Sequence, residues 1–277
     1  MILVTGASGT VGSETVKALQ KRKAEFQGAY RDLSKAPSGV TAVTFDYDDK
    51  TTWNSALAGV DTLFLLTPPS QPKELEQSLS LVEAAKKSGV KKIVKLSAAG
   101  VEMNPEAFHR KVELAIEATG LKFAHWRPTF FHNNFAEGLA PAIKSGTLAL
   151  PTAAGKTAFI DARDIGEANA VLLTEPKYEG KGYTLKGPES LSHAEVAAII
   201  SAAAGIKVEF KDISDAEFRA LMKSWGAPDY TIELYSMLYG MVKKGYAADL
   251  GPDLKTLTGS AGITLAQFAK DHANAWK

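Results

Sequence analysis

The sequence predicts an α/β protein built on a doubly wound parallel sheet, with a smaller, mostly helical C-terminal lobe. Three observations carry this prediction. A glycine-rich turn joins an apolar run to a helix-like segment at the start of the chain, short β-branched runs then alternate with helical segments, and that alternation is lost towards the end. Such alternation is typical of Rossmann-type sheets, which are covered by helices on both faces.

The first element, "MILVTGASGTVGSETVKALQ", joins a strand to a helix through a turn that holds Gly6, Gly9 and Gly12. In turns of this kind the first glycine permits a tight bend, the second lets backbone approach a pyrophosphate, and the third lets the helix pack against the strand. The amino terminus of the helix offers free N–H groups to an anion. The alternative is an ordinary structural turn. Because a strand precedes it and a helix follows, we predict a nucleotide site formed by Gly6, Ser8, Gly9, Thr10, Val11 and Gly12.

The next elements continue the same rhythm. The runs "FQGAY", "TAVTF", "DTLFLLT", "KKIVKLS" and "KFAHW" have the composition of strands, and the segments near 51–58, 73–88 and 105–119 that alternate with them read as helices. After Pro128, "TAFID" and "GYTLKG" are interpreted as further sheet strands with a helix near 162–173 between them. Residues from 187 onward read as mostly helical, with one short strand, "KVEF".

This pattern predicts a nucleotide-binding Rossmann domain over 1–186 and a smaller substrate-side lobe over 187–277. Within the first of these, residues 128–160 are expected to contribute partly to the substrate cleft.

Composition narrows the class of protein. The chain has 277 residues, 45% of them hydrophobic, with a net charge of +1 and no cysteine. Near-neutral charge gives no reason to expect nucleic acid or a membrane surface as partner, and the lack of cysteine excludes disulfides and thiolate chemistry. The histidines show no metal-ligand spacing, so we expect no metal. The cytoplasm is the default location, and the expected assembly is a monomer or a homodimer.

The ends of the predicted strands are where such a sheet binds its ligand. About 20 residues beyond the glycine turn, an NAD-dependent enzyme offers a carboxylate to the ribose 2′-hydroxyl. This chain has Arg31 there, with Lys35 one turn further on. Two cations suit a 2′-phosphate, so NADP(H) is the predicted cofactor. The alternative is a solvated basic turn, because Asp32 is adjacent.

Two further strand ends complete the predicted cofactor site. In "FDYDD", Asp46 and Tyr47 are expected to border the adenine. In "LLTPPS", Thr67 and Pro68 are expected to lie beneath the middle of the cofactor. A plain loop is an equally good interpretation of either segment taken alone.

The motifs together resemble the NmrA-like branch of the atypical short-chain dehydrogenase/reductases. The resemblance runs almost end to end and is carried by "TGASGTVG", "YRDLSKA", "FDYDD", "LLTPPS", "HRKVELAIEATGLKFAHWRPTFFHNNF" and "FIDARDIGEANAVLL". It implies an NADPH-dependent quinone, azo dye or triphenylmethane dye reductase. The family also contains NADP(H)-sensing regulators with little or no turnover, which is the alternative function.

The resemblance also locates candidate catalytic residues. The parent family uses Tyr-x-x-x-Lys, but the matching segment "FHRKVELAIEA" contains no tyrosine. Alignment with isoflavone-reductase-like sequences places His109 where those enzymes keep a functional lysine. An ordinary histidine pKa near 6.5 would let His109 supply a proton near neutrality. Ser97 matches the family's serine position and is expected to touch substrate or nicotinamide, or else to close off a strand end.

The remaining candidates are one proline and five aromatic residues. Pro128 and Phe130 in "WRPTFFHNNF" are predicted to contact the nicotinamide, and Phe131 the substrate. Trp225, Tyr235 and Tyr239 in the C-terminal lobe add apolar surface, although core packing is an open alternative for each. As a set they favour a planar, apolar acceptor that takes hydride directly from the nicotinamide without a flavin.

Overall fold

The computed structural model describes residues 1–67 and 73–277. In chain order, the strands are β1 (Ile2–Val4), β2 (Phe26–Tyr30), β3 (Ala42–Thr44), β4 (Thr62–Leu65), β5 (Lys92–Leu96), β6 (Lys122–Pro128), β7 (Thr147–Leu150), β8 (Lys156–Thr157), β9 (Lys181–Leu185), β10 (Leu191–Ser192) and β11 (Glu209–Asp212). The α-helices are α1 (Thr10–Lys21), α2 (Trp53–Leu57), α3 (Glu74–Lys87), α4 (Phe108–Ala118), α5 (Asn133–Ala136), α6 (Ala140–Lys144), α7 (Ala162–Thr174), α8 (His193–Ala204), α9 (Asp215–Ser224), α10 (Asp229–Lys243), α11 (Asp253–Thr258) and α12 (Leu265–Asp271).

The chain forms two compact units, each assembled from separate segments. The first contains residues 1–128, 162–185 and 253–259, and the second contains residues 129–161, 186–252 and 260–277. The sequence predicted one boundary, after residue 186, because periodicity along a chain does not reveal where the chain leaves a unit and returns. The assignment of cofactor and substrate roles to two domains stays a prediction.

The first unit is built on a seven-stranded sheet in the order β3-β2-β1-β4-β5-β6-β9, with every pair of neighbours parallel. This confirms the predicted Rossmann-type sheet. The strand order reverses between β1 and β4, so the chain leaves these two strands in opposite directions. A crevice opens at such a reversal, outside the carboxyl ends of the strands.

Both faces of this sheet are covered. On one face, Leu3, Leu63 and Ile93 belong to a core that also includes buried side chains of α2, α3 and α4. Successive strand residues point to opposite faces. Phe64 and Trp126 accordingly stack on the other face, with ring centroids 6.2 Å apart, on the side where α7 packs against β5 and β6.

The second unit has its own core and its own small sheets. β7 pairs with β11 in parallel, and β8 pairs with β10 antiparallel. Its core contains large buried side chains from several segments, among them Phe135, Phe159, Phe268 and Trp276. Within the described residues, no helix combines the length and apolar character needed to cross a bilayer.

The segment "TAFID" departs from its prediction as a strand of the main sheet. Thr157 pairs with Leu191 of β10, and Ile160 forms an isolated bridge with Phe131. Phe159 and Ile160 are both buried although they are adjacent in sequence. Burial on both sides makes a short apolar run look like an interior strand of a parallel sheet, and only the fold shows which partners it meets.

Helices α1 and α7 approach closely because Gly166 has no side chain. A Cβ at this position would lie 2.6 Å from the backbone carbon of Glu14. We expect Gly166→Ala to lower the free energy of unfolding by at least about 1–3 kcal/mol, since backbone must move to admit the methyl group. Urea unfolding followed by circular dichroism measures this.

The matched control is Gly240→Ala in α10, where a Cβ would have no atom of residues 1–67 or 73–277 within 4 Å beyond its own helix backbone and chain neighbours. Here alanine is expected to raise stability by about 0.5–1 kcal/mol through helix propensity alone. Equal effects of the two substitutions would show that the close approach of α1 and α7 is not a constraint on the fold.

Candidate functional site

The glycine turn lies between β1 and α1, and its geometry explains two of the three glycines. Gly6 has φ +64°, and a Cβ on it would lie 2.6 Å from Leu66 Cδ2. A Cβ on Gly12 would lie 2.0 Å from the Gly6 carbonyl oxygen. Gly9 has no comparable conflict with the described residues, among which the nearest atom to its Cβ would be 3.5 Å away. The fold itself therefore does not require glycine at this position. Close approach of a ligand is a reason for glycine here.

The amino terminus of α1 is open in the way an anion site requires. The N-cap is Gly9, which has no side chain to cap the first turn, and that turn contains no acidic residue. Ser8 and Gly9 are exposed, whereas the side chain of Val11 is buried. Of the predicted contacts here, Val11 has only its backbone to offer a ligand, while the Ser8 hydroxyl and the backbone of Gly9 are accessible.

Arg31 and Lys35 follow β2 and are both exposed. Within the described ranges, neither forms an ion pair with a carboxylate. Asp32, the neighbour that might have neutralised them, instead accepts hydrogen bonds from the backbone N and the hydroxyl of Ser34, at 3.0 and 2.7 Å. These hydrogen bonds lower the pKa of Asp32. Both cations therefore remain available to a phosphate.

Asp46 and Tyr47 lie after β3 but have different surroundings. Asp46 is partly exposed, and its carbonyl accepts a hydrogen bond from Trp53 Nε1 at 2.7 Å. Tyr47 is only 7% exposed, and its hydroxyl donates to the Leu66 carbonyl at 2.9 Å. Burial raises its pKa. The Tyr47 ring is thus largely a core group packed against Phe45, and its contact with an adenine stays a prediction.

Thr67 lies two residues beyond the end of β4 and is buried. Its hydroxyl donates to Glu74 Oε1 at 3.2 Å and accepts from Ser78 at 3.3 Å, which ties the end of β4 to the start of α3. The other residue predicted in this segment, Pro68, lies outside the described residues.

A buried lysine contacts the predicted catalytic histidine. Lys95 Nζ lies 3.0 Å from His109 Nδ1 and donates a second hydrogen bond to the Leu96 carbonyl. It also lies 5.8 Å from the centroid of the Phe108 ring. Lys95 has no exposed surface, whereas His109 is partly exposed. The structure therefore places an ammonium group directly behind the imidazole.

This pairing changes the protonation of both side chains. Burial, reinforced by the Lys95 charge, lowers the pKa of His109 to about 3. The expectation that His109 titrates near neutrality is therefore not met, because sequence alone cannot show burial beside a cation. Burial also lowers the pKa of Lys95 to about 7, although the carboxylates of Glu113 and Glu74 oppose the shift. The group that titrates near neutrality is the lysine.

Glu113 is fully buried one helical turn beyond His109. It accepts a two-point pair from Arg127, with Nε–Oε1 2.9 Å and Nη2–Oε2 2.8 Å, and a third hydrogen bond from Arg110 Nη1 at 2.8 Å. Burial favours the neutral acid, but Arg127 and the neighbouring Ser97 hydroxyl hold the pKa of Glu113 at about 2. Glu113 is thus a permanent anion that anchors α4 to β6.

Ser97 is buried at the end of β5, where its backbone N donates to the Trp126 carbonyl at 2.8 Å. Its hydroxyl lies beside Glu113, so the structure brings Ser97 into the same polar cluster as His109. Contact of Ser97 with a ligand stays a prediction.

Ligand atoms of Glu113, Glu117 and His125 lie within 4.8 Å of one another. In a protein this is also the arrangement of a metal site, but here the Arg110 guanidinium bridges Glu113 and Glu117, and Arg127 holds Glu113. Two guanidinium groups already balance the carboxylate charge, so these residues do not make a good cation site.

Pro128 and the predicted aromatic residues divide into three environments. In the first unit, Pro128 is buried at the end of β6, and its carbonyl accepts from Ala99 N at 3.1 Å. In the second unit, the Phe130 and Tyr239 rings stack at 5.7 Å, and Tyr235 packs 6.1 Å from Tyr239. Tyr239 is only 5% exposed, which places most of it in the core.

Phe131 is partly exposed and pairs with Ile160 through backbone. Trp225 is 54% exposed and makes no ring contact within the part of the chain that the structure describes. The structure thus brings Phe130, Tyr235 and Tyr239 together and leaves Trp225 outside their cluster.

Sequence reasoning missed Lys95, Glu113 and Arg127 as members of one cluster. The signal for Lys95 was present, because "KKIVKLS" carries a charged residue inside an otherwise apolar strand. In the parallel register, Lys95 is the partner of His125, and Arg127 lies two residues further along β6 on the same face. Only this register reveals that the charges meet.

The chain matches the model of the NmrA-like family over residues 1–254. It is 34% identical to an NAD(P)H azoreductase of Xenophilus azovorans, with 100% of this chain and 99% of that protein covered. Among solved structures, it resembles Citrobacter sp. triphenylmethane reductase complexed with NADP(H), with a TM-score of 0.85, 27% identity and coverage of 98% and 100%. It also resembles the quinone oxidoreductase QOR2 of Escherichia coli complexed with NADPH, with a TM-score of 0.87, 28% identity and coverage of 98% and 99%. With the family-model match and the full-length relatives agreeing with the fold, the chain belongs to the NmrA-like family.

Proposed function

We propose that the chain is an NADPH-dependent reductase that passes hydride to a planar, apolar acceptor such as a quinone, an azo dye or a triarylmethane dye. The single observation that carries this proposal is the contact between Lys95 and His109 at the carboxyl edge of the parallel sheet, the edge at which β1 leads into the glycine turn. Similarity to azo dye, triphenylmethane dye and quinone reductases supports it.

The residues present fit NADP(H). A Cβ at Gly12 would occupy the interior of the turn, and Gly9 leaves the helix terminus accessible. The backbone N–H groups at the start of α1 would hold the pyrophosphate, and Arg31 with Lys35 would hold the 2′-phosphate. When bound, the nicotinamide supplies the hydride, so no flavin is required.

His109 serves the acceptor rather than the cofactor. The ring is neutral at physiological pH, because its pKa is about 3. With Nδ1 facing the Lys95 ammonium, the ring carries its proton on Nε2 and donates from that atom. It can therefore orient a carbonyl or azo acceptor by a hydrogen bond and neutralise the anion left by hydride addition. The Ser97 hydroxyl lies in the same cluster and has the donor chemistry to assist.

The acceptor surface is proposed to come from the aromatic residues. Phe130, Phe131 and Tyr235 are partly exposed, and Tyr239 supports Phe130 by stacking. Flat apolar side chains suit a planar acceptor better than a sugar or a small charged acid. Trp225 is exposed and lies outside this cluster, so its contact with the acceptor stays a separate prediction.

A second function, that of an NADP(H)-sensing regulator with little turnover, is favoured by one observation: α4 contains no tyrosine for a Tyr-x-x-x-Lys pair. Single-turnover mixing with NADPH and a quinone, an azo dye or a triarylmethane dye separates the two. A reductase loses absorbance near 340 nm faster than the protein-free control. Binding of NADPH and NADP with different affinities, with every acceptor left unreduced, would identify the regulator.

Cofactor preference gives the first functional prediction. NADPH is expected to bind more tightly than NADH, and Arg31→Ala to weaken NADPH by about tenfold or more. The physical reason is that a charge-assisted hydrogen bond contributes about 1.5–3 kcal/mol. Titration of both nucleotides by fluorescence measures this.

The control is Lys87→Ala, which removes an exposed cation from the last turn of α3. Its affinity for NADPH should match that of the wild type, because α3 ends at the opposite edge of the sheet. Equal wild-type affinities for NADH and NADPH would contradict the proposed role of Arg31 and Lys35.

His109 gives the second functional prediction. His109→Ala is expected to lower the single-turnover rate with a quinone by about 10²–10⁴-fold, the usual contribution of a proton donor, while NADPH affinity changes little. His272→Ala, which removes a histidine of the second unit, should leave the rate unchanged. An unaltered rate in His109→Ala would return that ring to a purely structural role.

A further inference from the structure

We infer that Lys95 is the positioning residue for proton delivery: its buried ammonium sets the tautomer of His109 and replaces the proton that His109 gives to the reduced acceptor. This inference rests on the reductase function proposed above and assigns the origin of the proton within it.

The geometry leaves Lys95 few alternatives. Its Nζ is 3.0 Å from His109 Nδ1, and Lys95 has no exposed surface, whereas the His109 ring that it contacts is partly exposed. A protonated lysine can donate but cannot accept. Nδ1 must therefore be the acceptor, and the ring proton is on Nε2. That nitrogen has no hydrogen-bond partner among the residues that the structure describes, which leaves it available to a ligand.

A neutral histidine needs such a neighbour in order to act as an acid. Its Nε2 proton is very weakly acidic unless Nδ1 gains a proton as Nε2 loses one. The Lys95 ammonium is the donor that faces Nδ1, and the pKa of Lys95 is about 7, which suits a group that must release and regain a proton at working pH. The pKa of His109, about 3, excludes a preformed imidazolium as the source.

Other charged groups around Lys95 shift its pKa but cannot take its place as the proton donor. Glu74 faces it from α3, Glu113 from α4, and His125 from β6. Glu113 is held as an anion by Arg127, with a pKa of about 2, so it has no proton to give. Burial lowers the pKa of His125 to about 4, which makes that ring neutral as well. At neutral pH, Lys95 is the proton reservoir of this cluster.

The proton balance closes. With a quinone or an azo acceptor, hydride addition leaves a negative charge on the acceptor, which takes the proton from His109 Nε2. Nδ1 takes a proton from Lys95 Nζ, and Lys95 becomes a neutral amine. Water then returns a proton to Nε2, while Nδ1 returns its proton to Lys95. Each turnover consumes one hydride from NADPH and one proton from solvent.

The rate of hydride transfer to a quinone at saturating NADPH, measured from pH 5.5 to 9, tests this. Lys95 must be protonated to act, so the wild-type rate should be constant at low pH and fall up to tenfold per pH unit above about 7. Lys95→Met should lower the rate by at least tenfold and lose this fall with pH. Retention of the inflection near 7 in Lys95→Met would overturn the inference.

The matched control is Lys92→Met. Lys92 is also buried on β5, but it pairs with Glu179 at 3.2 Å near the beginning of the strand. This variant loses a buried ion pair, so its stability should fall, yet its pH profile should keep the wild-type inflection. Loss of the inflection in both variants would show that it reports the integrity of β5 rather than Lys95.

Two further measurements cover the remaining outcomes. If Lys95→Met does not fold, Lys95→Arg is the second variant. Arginine keeps the positive charge but does not release its proton, so this variant should bind NADPH while its rate shows no inflection near pH 7. Nitrogen NMR of ¹⁵N-histidine, with His109 assigned from His109→Ala, should show the Nε2–H tautomer in the wild type and a mixture in Lys95→Met. An unchanged tautomer would overturn the inference.

A wild type that reduces no acceptor would overturn the reductase function, whereas turnover with an unaltered pH profile in Lys95→Met overturns only the role of Lys95.

Discussion

The ion pair between Glu113 and Arg127 is the interaction on which the candidate site depends. It joins α4 to β6 through two parallel hydrogen bonds of 2.9 and 2.8 Å, in a place where Glu113 has no exposed surface. Removal of one partner from a buried pair usually costs about 3–5 kcal/mol, because the other charge is left without compensation. The pair therefore determines where α4 lies on the sheet, and with it the position of His109 one turn earlier on the same helix face.

This placement also determines the charge balance around Lys95. An ammonium without exposed surface is costly unless anions lie nearby. Glu113 and Glu74 supply that compensation in part, and the remaining cost appears as a pKa near 7 for Lys95. A strand residue that looks like an interruption of the core is thus the group most sensitive to pH near neutrality. The network of charges that holds α4 on the sheet therefore also stabilises the buried ammonium group of Lys95.

Much of the fold and of the cofactor end could be predicted because the signals are local. Gly6 and Gly12 are required because the turn itself and the end of the adjacent strand leave no room for a side chain. Arg31 follows β2 directly. The cluster around Lys95 and His109 depends on contacts between strands and helices far apart in sequence. His109 was singled out through resemblance and its role stays a prediction, but its neutral state required knowledge of Lys95, and the burial of Tyr47 could not be read from a loop motif. Family membership could also be predicted, since motif order along the chain carries it without any contact map.

By itself, the sequence determined the alternation of strands and helices, the glycine turn, the basic pair after β2 and the absence of thiol chemistry, because each depends on neighbouring residues or on composition. The tertiary structure alone decided that segments 129–161 and 253–259 change units, that "TAFID" pairs outside the main sheet, and that Lys95, His109, Glu113 and Arg127 form one buried cluster. The physical reason is that pKa values and ion pairs depend on distance and burial, which are set by strand register and helix packing. Residues that are 14 positions apart along the chain, as Lys95 and His109 are, come into contact only when the sheet and α4 are assembled.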